Sequence, residues 1–178
     1  MLCRASRSQD IGDVHCFNGN WKRCTRALDP ARPTGLASSM TLEERIQTSF
    51  ARQAMMSTLG ARIIHIAPGS VHIATDLRPA FAQQQGLAHG ALAFAIGDSA
   101  AGYAALSLLD PEGEVVTSEM SIHYLAPGRG DLLEARGSVI KPGRRMLVVQ
   151  ADVYALTTQT ETHIARLTGT MVRVPASP

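Results

Sequence analysis

Past Cys24 this chain of 178 residues has no cysteine, so nearly all of it lacks both a disulfide framework and a thiol nucleophile. The three that exist, Cys3, Cys16 and Cys24, stand near His15 in a spacing that matches no zinc pattern. Aromatic residues make up 4% of the chain and Trp occurs once. Basic residues are also scarce where a fold would be. The formal charge of +2 comes from residues 1–40, with six Lys/Arg against three Asp, while residues 41–178 carry eleven Lys/Arg against twelve Asp/Glu. A nucleic-acid surface needs a basic stripe and stacking aromatics, so that class is excluded. No apolar run is long enough to span a bilayer, because the longest is broken by Asp98, Ser99 and glycines. Nor is there an internal repeat or an apolar secretory h-region, and Asp10, Asp13 and Asp29 argue against a transit peptide. The expected location is the cytoplasm. At 45% apolar, the chain reads as one soluble domain with a core of useful size.

Residues 1–39 show neither helical nor strand periodicity and carry Pro30 and Pro33, which predicts a disordered or non-native extension, with the functional protein starting near Met40. From Thr41 the pattern is regular. Thr41-Leu-Glu-Glu44 fits a capping box and opens an amphipathic helix with Leu42, Ile46, Phe50 and Ala54 on one stripe, stopped at Gly60. Strand alternation follows at Ile64/Ile66 and at Val71, Ile73, Thr75 and Leu77. Further on come Val116, Ser118, Met120, Ile122 and Tyr124 against Thr117, Glu119, Ser121 and His123. Leu133 to Val139, Leu147 to Ala155 and Ala165 to Met171 complete the strands. Pro68-Gly69, Pro127-Gly128 and Pro142-Gly143 read as type II turns. Residues 40–178 therefore predict an α+β domain: an antiparallel sheet of about six strands curved around the one all-apolar helix, which lies between the second and third strands.

That helix, Gly90 to Leu109, holds the residue hardest to explain. A carboxylate costs several kcal/mol on a core helix unless it is paired, hydrogen-bonded or protonated. Asp98 is either functional or the cap of a second helix starting at Ser99. Gly86 and His89-Gly90 stand just before the run, where the first helical N–H groups are open to an incoming oxygen. At about 100° and 1.5 Å per residue, Asp98 lies roughly 180° around and about 13 Å along the helix from His89. The two ends cannot share one substrate atom within a chain. If they cooperate, a site is built from two copies related by a two-fold axis.

The run G-L-A-H-G-A-L-A-F-A-I-G-D-S-A-A-G-Y-A, followed by V-T-S-E-M-S-I-H-Y-L-A-P-G-R-G-D and G-R-R-M-L-V-V-Q-A-D-V-Y, resembles the hot-dog-fold acyl-CoA thioesterases of the phenylacetate-pathway (PaaI) type over roughly residues 60 to 174. The resemblance implies a hot-dog fold, a homodimer or homotetramer with shared active sites, and hydrolysis of an acyl or aryl-acyl coenzyme A thioester. It implies no cofactor, coenzyme A being part of the substrate, and no metal. It makes Asp98 the catalytic carboxylate, as general base or nucleophile, and the Gly90 N–H the donor to the thioester oxygen. His89 precedes that donor as catalyst or structural hydrogen-bonder. Gln83 stands where the family has Asn, and Ala91 where it has a second glycine. Thr117 matches a small hydroxyl residue near the attacking water, or is simply an outward strand residue. Lys141, Arg144 and Arg145 at a hairpin tip are candidates for the coenzyme A phosphates, or a solvated tip. The rival readings are a hot-dog dehydratase or hydratase that uses His89 as base, and a non-catalytic acyl-CoA-binding protein. The latter would need an output module, and residues 1–40 carry no helix-turn-helix pattern.

Overall fold

A computed structural model describes residues 40–175. The expectations for residues 1–39, including the three cysteines, lie outside the described residues. Elements follow in the order α1 (Leu42–Ala51), α2 (Ala54–Leu59), β1 (Arg62–Ala67), β2 (Ser70–Asp76), α3 (Gly90–Leu106), β3 (Gly113–Tyr124), β4 (Leu132–Pro142), β5 (Met146–Leu156) and β6 (Glu161–Pro175). The six strands form one antiparallel sheet in the order β1-β2-β4-β5-β6-β3, which leaves β3 at an edge. Val71, Ile73, Leu133, Ala135, Leu147, Val149, Val153, Leu167 and Met171 face inward and pack on α3. Gly137 of β4 makes the contact close: a Cβ there would sit 2.3 Å from the Ala100 carbonyl carbon and oxygen. The sheet is thus folded over the predicted helix, in the hot-dog arrangement.

The capping box at Thr41 and Glu44 is present, with Thr41 Oγ1 accepting from the Glu44 N–H at 3.2 Å and Glu44 Oε2 accepting from the Thr41 N–H at 2.8 Å. The expected single helix breaks at Arg52–Gln53. Ala54 is then exposed, and Met56 and Leu59 become the buried residues of α2. Gly60 ends α2 with φ 65° in the left-handed region. α3 ends at Leu106, three residues short of the expected Leu109, and runs unbroken through Asp98, which excludes a helix cap there. Its strip at Ala91, Phe94, Ala95, Asp98 and Gly102 is only partly covered, so it is not enclosed all round.

Three further expectations fail for local reasons. Ile64 sits in an irregularity of the β1–β2 register and is exposed, leaving Ile63 and Ile66 to pack on the core. Gly69 has the positive φ of a type II turn, at 78°, but Gly128 and Gly143 do not. Residues 125–131 instead link the edge strand β3 to β4 in the sheet interior, and Gly128 is buried against Ala88. In β3 a register shift between Thr117 and Glu119 makes Ser118 an extra residue. Val115 and Thr117 face inward before it, Met120 and Ile122 after it, and Val116 is turned out to 50% exposure.

Candidate active site

The lone acid of α3 is placed by the bulge in β3. With the phase of the strand reversed at Ser118, Thr117 donates from Oγ1 to Asp98 Oδ1 at 2.8 Å. The Met171 sulfur lies 3.4 Å from the same hydroxyl. Oδ2 of Asp98 has no partner among the described residues. The carboxyl is half-buried, and desolvation raises its pKa above the ordinary 3.8, opposed by the Thr117 hydrogen bond that favours the charged form. Asp98 and Thr117 line a cavity of about 140 Å³ closed by Ser49 and Gln53 from the α1–α2 side and by Gly102 and Tyr103 of α3. Sequence reasoning had no signal for Ser49 and Gln53, since both look like surface residues of an amphipathic helix.

The helix start forms a second site. His89 is the N-cap of α3, and its Nδ1 accepts from the Ala91 N–H at 3.0 Å. His89 is thereby a structural hydrogen-bonder in this geometry. The Ala91 amide is taken, whereas the Gly90 N–H has no partner among the described residues. The His89 N–H goes to the Phe81 carbonyl at 2.9 Å and the Ala88 N–H to the Gly128 carbonyl at 2.9 Å, so both flanks of the free donor are fixed. Gly90, Gln83 and Tyr124 line a cavity of about 280 Å³. Gln83 Oε1 already accepts from the Gln85 N–H at 2.8 Å, which leaves its NH₂ as the group available to a ligand. Tyr124, not singled out from the sequence, lies across Gly90: a Cβ on Gly90 would meet its hydroxyl oxygen at 2.6 Å.

The two cavities share no lining residue. Gly90 itself is only about 80° around α3 from Asp98, unlike His89, and what separates donor and carboxylate is about 12 Å along the axis. Lys141, Arg144 and Arg145 are exposed at the tip joining β4 to β5 and make no salt bridge among the described residues. Register places this tip near Asp98: Thr117 is opposite Met171, Met171 opposite Leu147, and Leu147 opposite Pro142. The tip is therefore three strand spacings, about 14 Å, from Thr117. Among the described residues no group of three or more His, Asp or Glu is arranged to hold a metal, and no helix is long and apolar enough to cross a membrane.

A sheet curled over one buried helix is the hot-dog fold. The Thioesterase superfamily model matches residues 85–162. A thioesterase family protein from Silicibacter pomeroyi is 38% identical over 76% of this chain and 100% of its own, with a TM-score of 0.74. The PaaI protein of the phenylacetic acid degradation operon of E. coli shares the fold at 23% identity, covering 76% of this chain and 95% of its own with a TM-score of 0.68. A variant of the phenylacetic acid degradation protein PaaI from Thermus thermophilus is 28% identical over 67% of this chain and 98% of its own, with a TM-score of 0.58. No curated protein matches. The chain belongs to the thioesterase superfamily and has its hot-dog fold. Its general chemistry is hydrolysis of a small-molecule thioester.

Proposed function

We propose that the chain is an acyl-CoA thioesterase acting as a homodimer, or as a homotetramer made of two such dimers, with each site drawn from two subunits. The observation that carries this reading is the division of the machinery: an unpartnered Gly90 N–H and a half-buried, Thr117-bound Asp98 open into separate cavities of one chain. The edge strand β3 supplies a way to join them. Tyr124 lies against Gly90, and Thr117 against Asp98, seven residues apart on this strand. A long edge is a template for pairing with another copy. Antiparallel pairing about a two-fold axis at Ser121, with the bulged Ser118 left out of the register, sets Tyr124 of one subunit opposite Thr117 of the other, and so the Gly90 amide opposite the other subunit's Asp98.

In such a site the thioester oxygen accepts from the Gly90 N–H, whose fixed position stabilises the charge that grows on that oxygen. Asp98 of the other subunit takes a proton from water as the water oxygen bonds to the carbonyl carbon, or bonds to that carbon itself to form an anhydride that water then cleaves. The carbon–sulfur bond breaks in either route, and coenzyme A leaves as its thiol once the proton is returned to sulfur. The bound Asp98 Oδ1 and the unpartnered Oδ2 support both. Lys141, Arg144 and Arg145 would meet the coenzyme A phosphates, no cofactor is required, and the cytoplasm, where acyl-CoA is used, is the proposed location. The capping bond of His89 disfavours the dehydratase reading, which needs that imidazole as base. Release of thiol from a panel of acyl-CoA esters, followed with a thiol reagent, tests the function. Steady turnover is expected, and its absence from every ester would refute it.

A further inference from the structure

We propose that Gln53, presented by the break between α1 and α2, holds the attacking water against Asp98. This deepens the thioesterase reading above and rests on it. Gln53 is anomalous where it stands. It is the N-cap of α2, yet its side chain caps nothing, whereas a Ser, Thr, Asp or Asn there would satisfy a first-turn amide. Its backbone is committed on both sides, the N–H to the Phe50 carbonyl at 3.0 Å and the carbonyl to the Ser57 N–H at 3.1 Å. Only the side-chain amide is left over. It has no partner among the described residues, and it lines the same cavity of about 140 Å³ as Asp98.

The wall that carries Gln53 is fixed. Arg45 of α1 donates to the carbonyls of Leu109 and Gly113 at 2.8 and 2.9 Å, which ties α1 to the connection between α3 and β3. Phe50 packs edge-on against Tyr103 of α3, with ring centres 5.6 Å apart. Ser49, Ser99 and Tyr103 add hydroxyl-bearing side chains to the cavity lining, so it suits water, and its volume has room for more than one molecule. A water that attacks a carbonyl carbon offers it a lone pair and has two hydrogens to place. Asp98 Oδ2 takes one as a proton. Gln53 Oε1 accepts the other, which stays on the oxygen. The lone pair is then aimed out of the cavity, at a thioester held by the other subunit's Gly90. As the oxygen bonds to the carbonyl carbon, the carbon–sulfur bond breaks and the proton passes from Asp98 to sulfur.

The test uses the full chain and two variants, Gln53→Leu and Gln53→Ala. The position is exposed, so neither touches the core. Turnover of one acyl-CoA is measured with and without added methanol, and titration calorimetry gives the affinity of the matching S-alkyl-coenzyme A, which cannot be hydrolysed. Loss of a group that orients the nucleophile should lower kcat about ten- to a hundredfold. KM and the affinity of the thioether should stay as in wild type, since Gln53 touches the water and not the thioester. Methanol has a single hydroxyl hydrogen, which goes to Asp98, so its attack does without Gln53. Both variants should therefore form more methyl ester per free acid than wild type, whereas damage to the fold would lower both products together. Unchanged kcat in both variants, a loss carried by KM, or an ester-to-acid ratio no higher than in wild type would overturn the role of Gln53 and leave the hydrolase reading intact. Wild type that releases no thiol from any acyl-CoA would overturn the hydrolase reading itself, and this role with it.

Discussion

Replacing Thr117 by Val removes one hydroxyl and leaves Asp98 Oδ1 without its 2.8 Å donor. Hydrogen bonds to a charged group are worth about 1.5–3 kcal/mol, and the half-exposed setting of this pair argues for the low end. About 1.4 kcal/mol is a factor of ten in proton affinity. The sign follows from the structure: the bond favours the ionised form, so its loss pushes the Asp98 pKa further in the direction burial already sends it, upward. At pH values where Asp98 is mostly protonated in both proteins, Thr117→Val should show kcat/KM about tenfold lower. As pH rises and both carboxyls ionise, the two profiles should converge. A kcat/KM profile on one acyl-CoA across the acid and neutral range reads this directly. A loss of equal size at every pH would refute the reasoning, since it would mean that Thr117 acts on the water or the substrate rather than through Asp98.

Asp98→Asn should keep the fold and lose about 10²–10⁴ in kcat. Its stability carries a second signature: a pKa raised on folding means that the folded chain binds more protons than the unfolded one between the ordinary 3.8 and the raised value, so wild-type stability should fall as pH rises through that window. Denaturant melts should show no such fall for Asp98→Asn, and parallel curves would remove the buried carboxylate from the account. Gly137→Ala forces a Cβ to within 2.3 Å of the α3 backbone at Ala100, where no side chain can give way, and should cost about 3 kcal/mol in a urea melt. A melt like wild type would contradict the close packing of α3 on β4. Neutralising Lys141, Arg144 and Arg145 together should raise KM for acyl-CoA and leave thioesters without the nucleotide unaffected, and equal losses on both would point to folding damage.

What the sequence made legible follows from contrast. Asp98 was conspicuous as the single acid in an apolar run, and the strands β2, β4, β5 and β6 were readable because most of each alternates against one buried face. Thr117 stood out only through the resemblance, and its inward turn was hidden, because Val116, Ser118, Met120 and Ile122 alternate smoothly through a bulge that turns the strand over in the middle. The break at Arg52–Gln53 contains neither Gly nor Pro, so nothing local announced that α2 would turn away to bury Met56 and Leu59. Tyr124 read as one more strand residue, since its importance comes from a contact with Gly90 more than thirty positions away. Strand order was equally hidden: β3 pairs with β6 and not with its sequence neighbour β4, a choice made by burial of the whole sheet over α3.

The shared site is tested most directly by mixing subunits. Asp98→Asn chains keep an intact helix start. Gly90→Pro chains lose the amide donor but keep Asp98, and proline is tolerated at the first helical position. Tyr124, 58% exposed, has room to yield to the added ring. Gln83→Ala serves as the partner if circular dichroism shows Gly90→Pro to be unfolded. Each variant alone should be nearly inactive. A mixed dimer contains one site with both lesions and one with neither, so co-refolded chains should recover up to about half the wild-type activity per mixed dimer. Folded chains that demonstrably form mixed dimers and recover nothing would contradict the pairing of Gly90 with Asp98 across subunits.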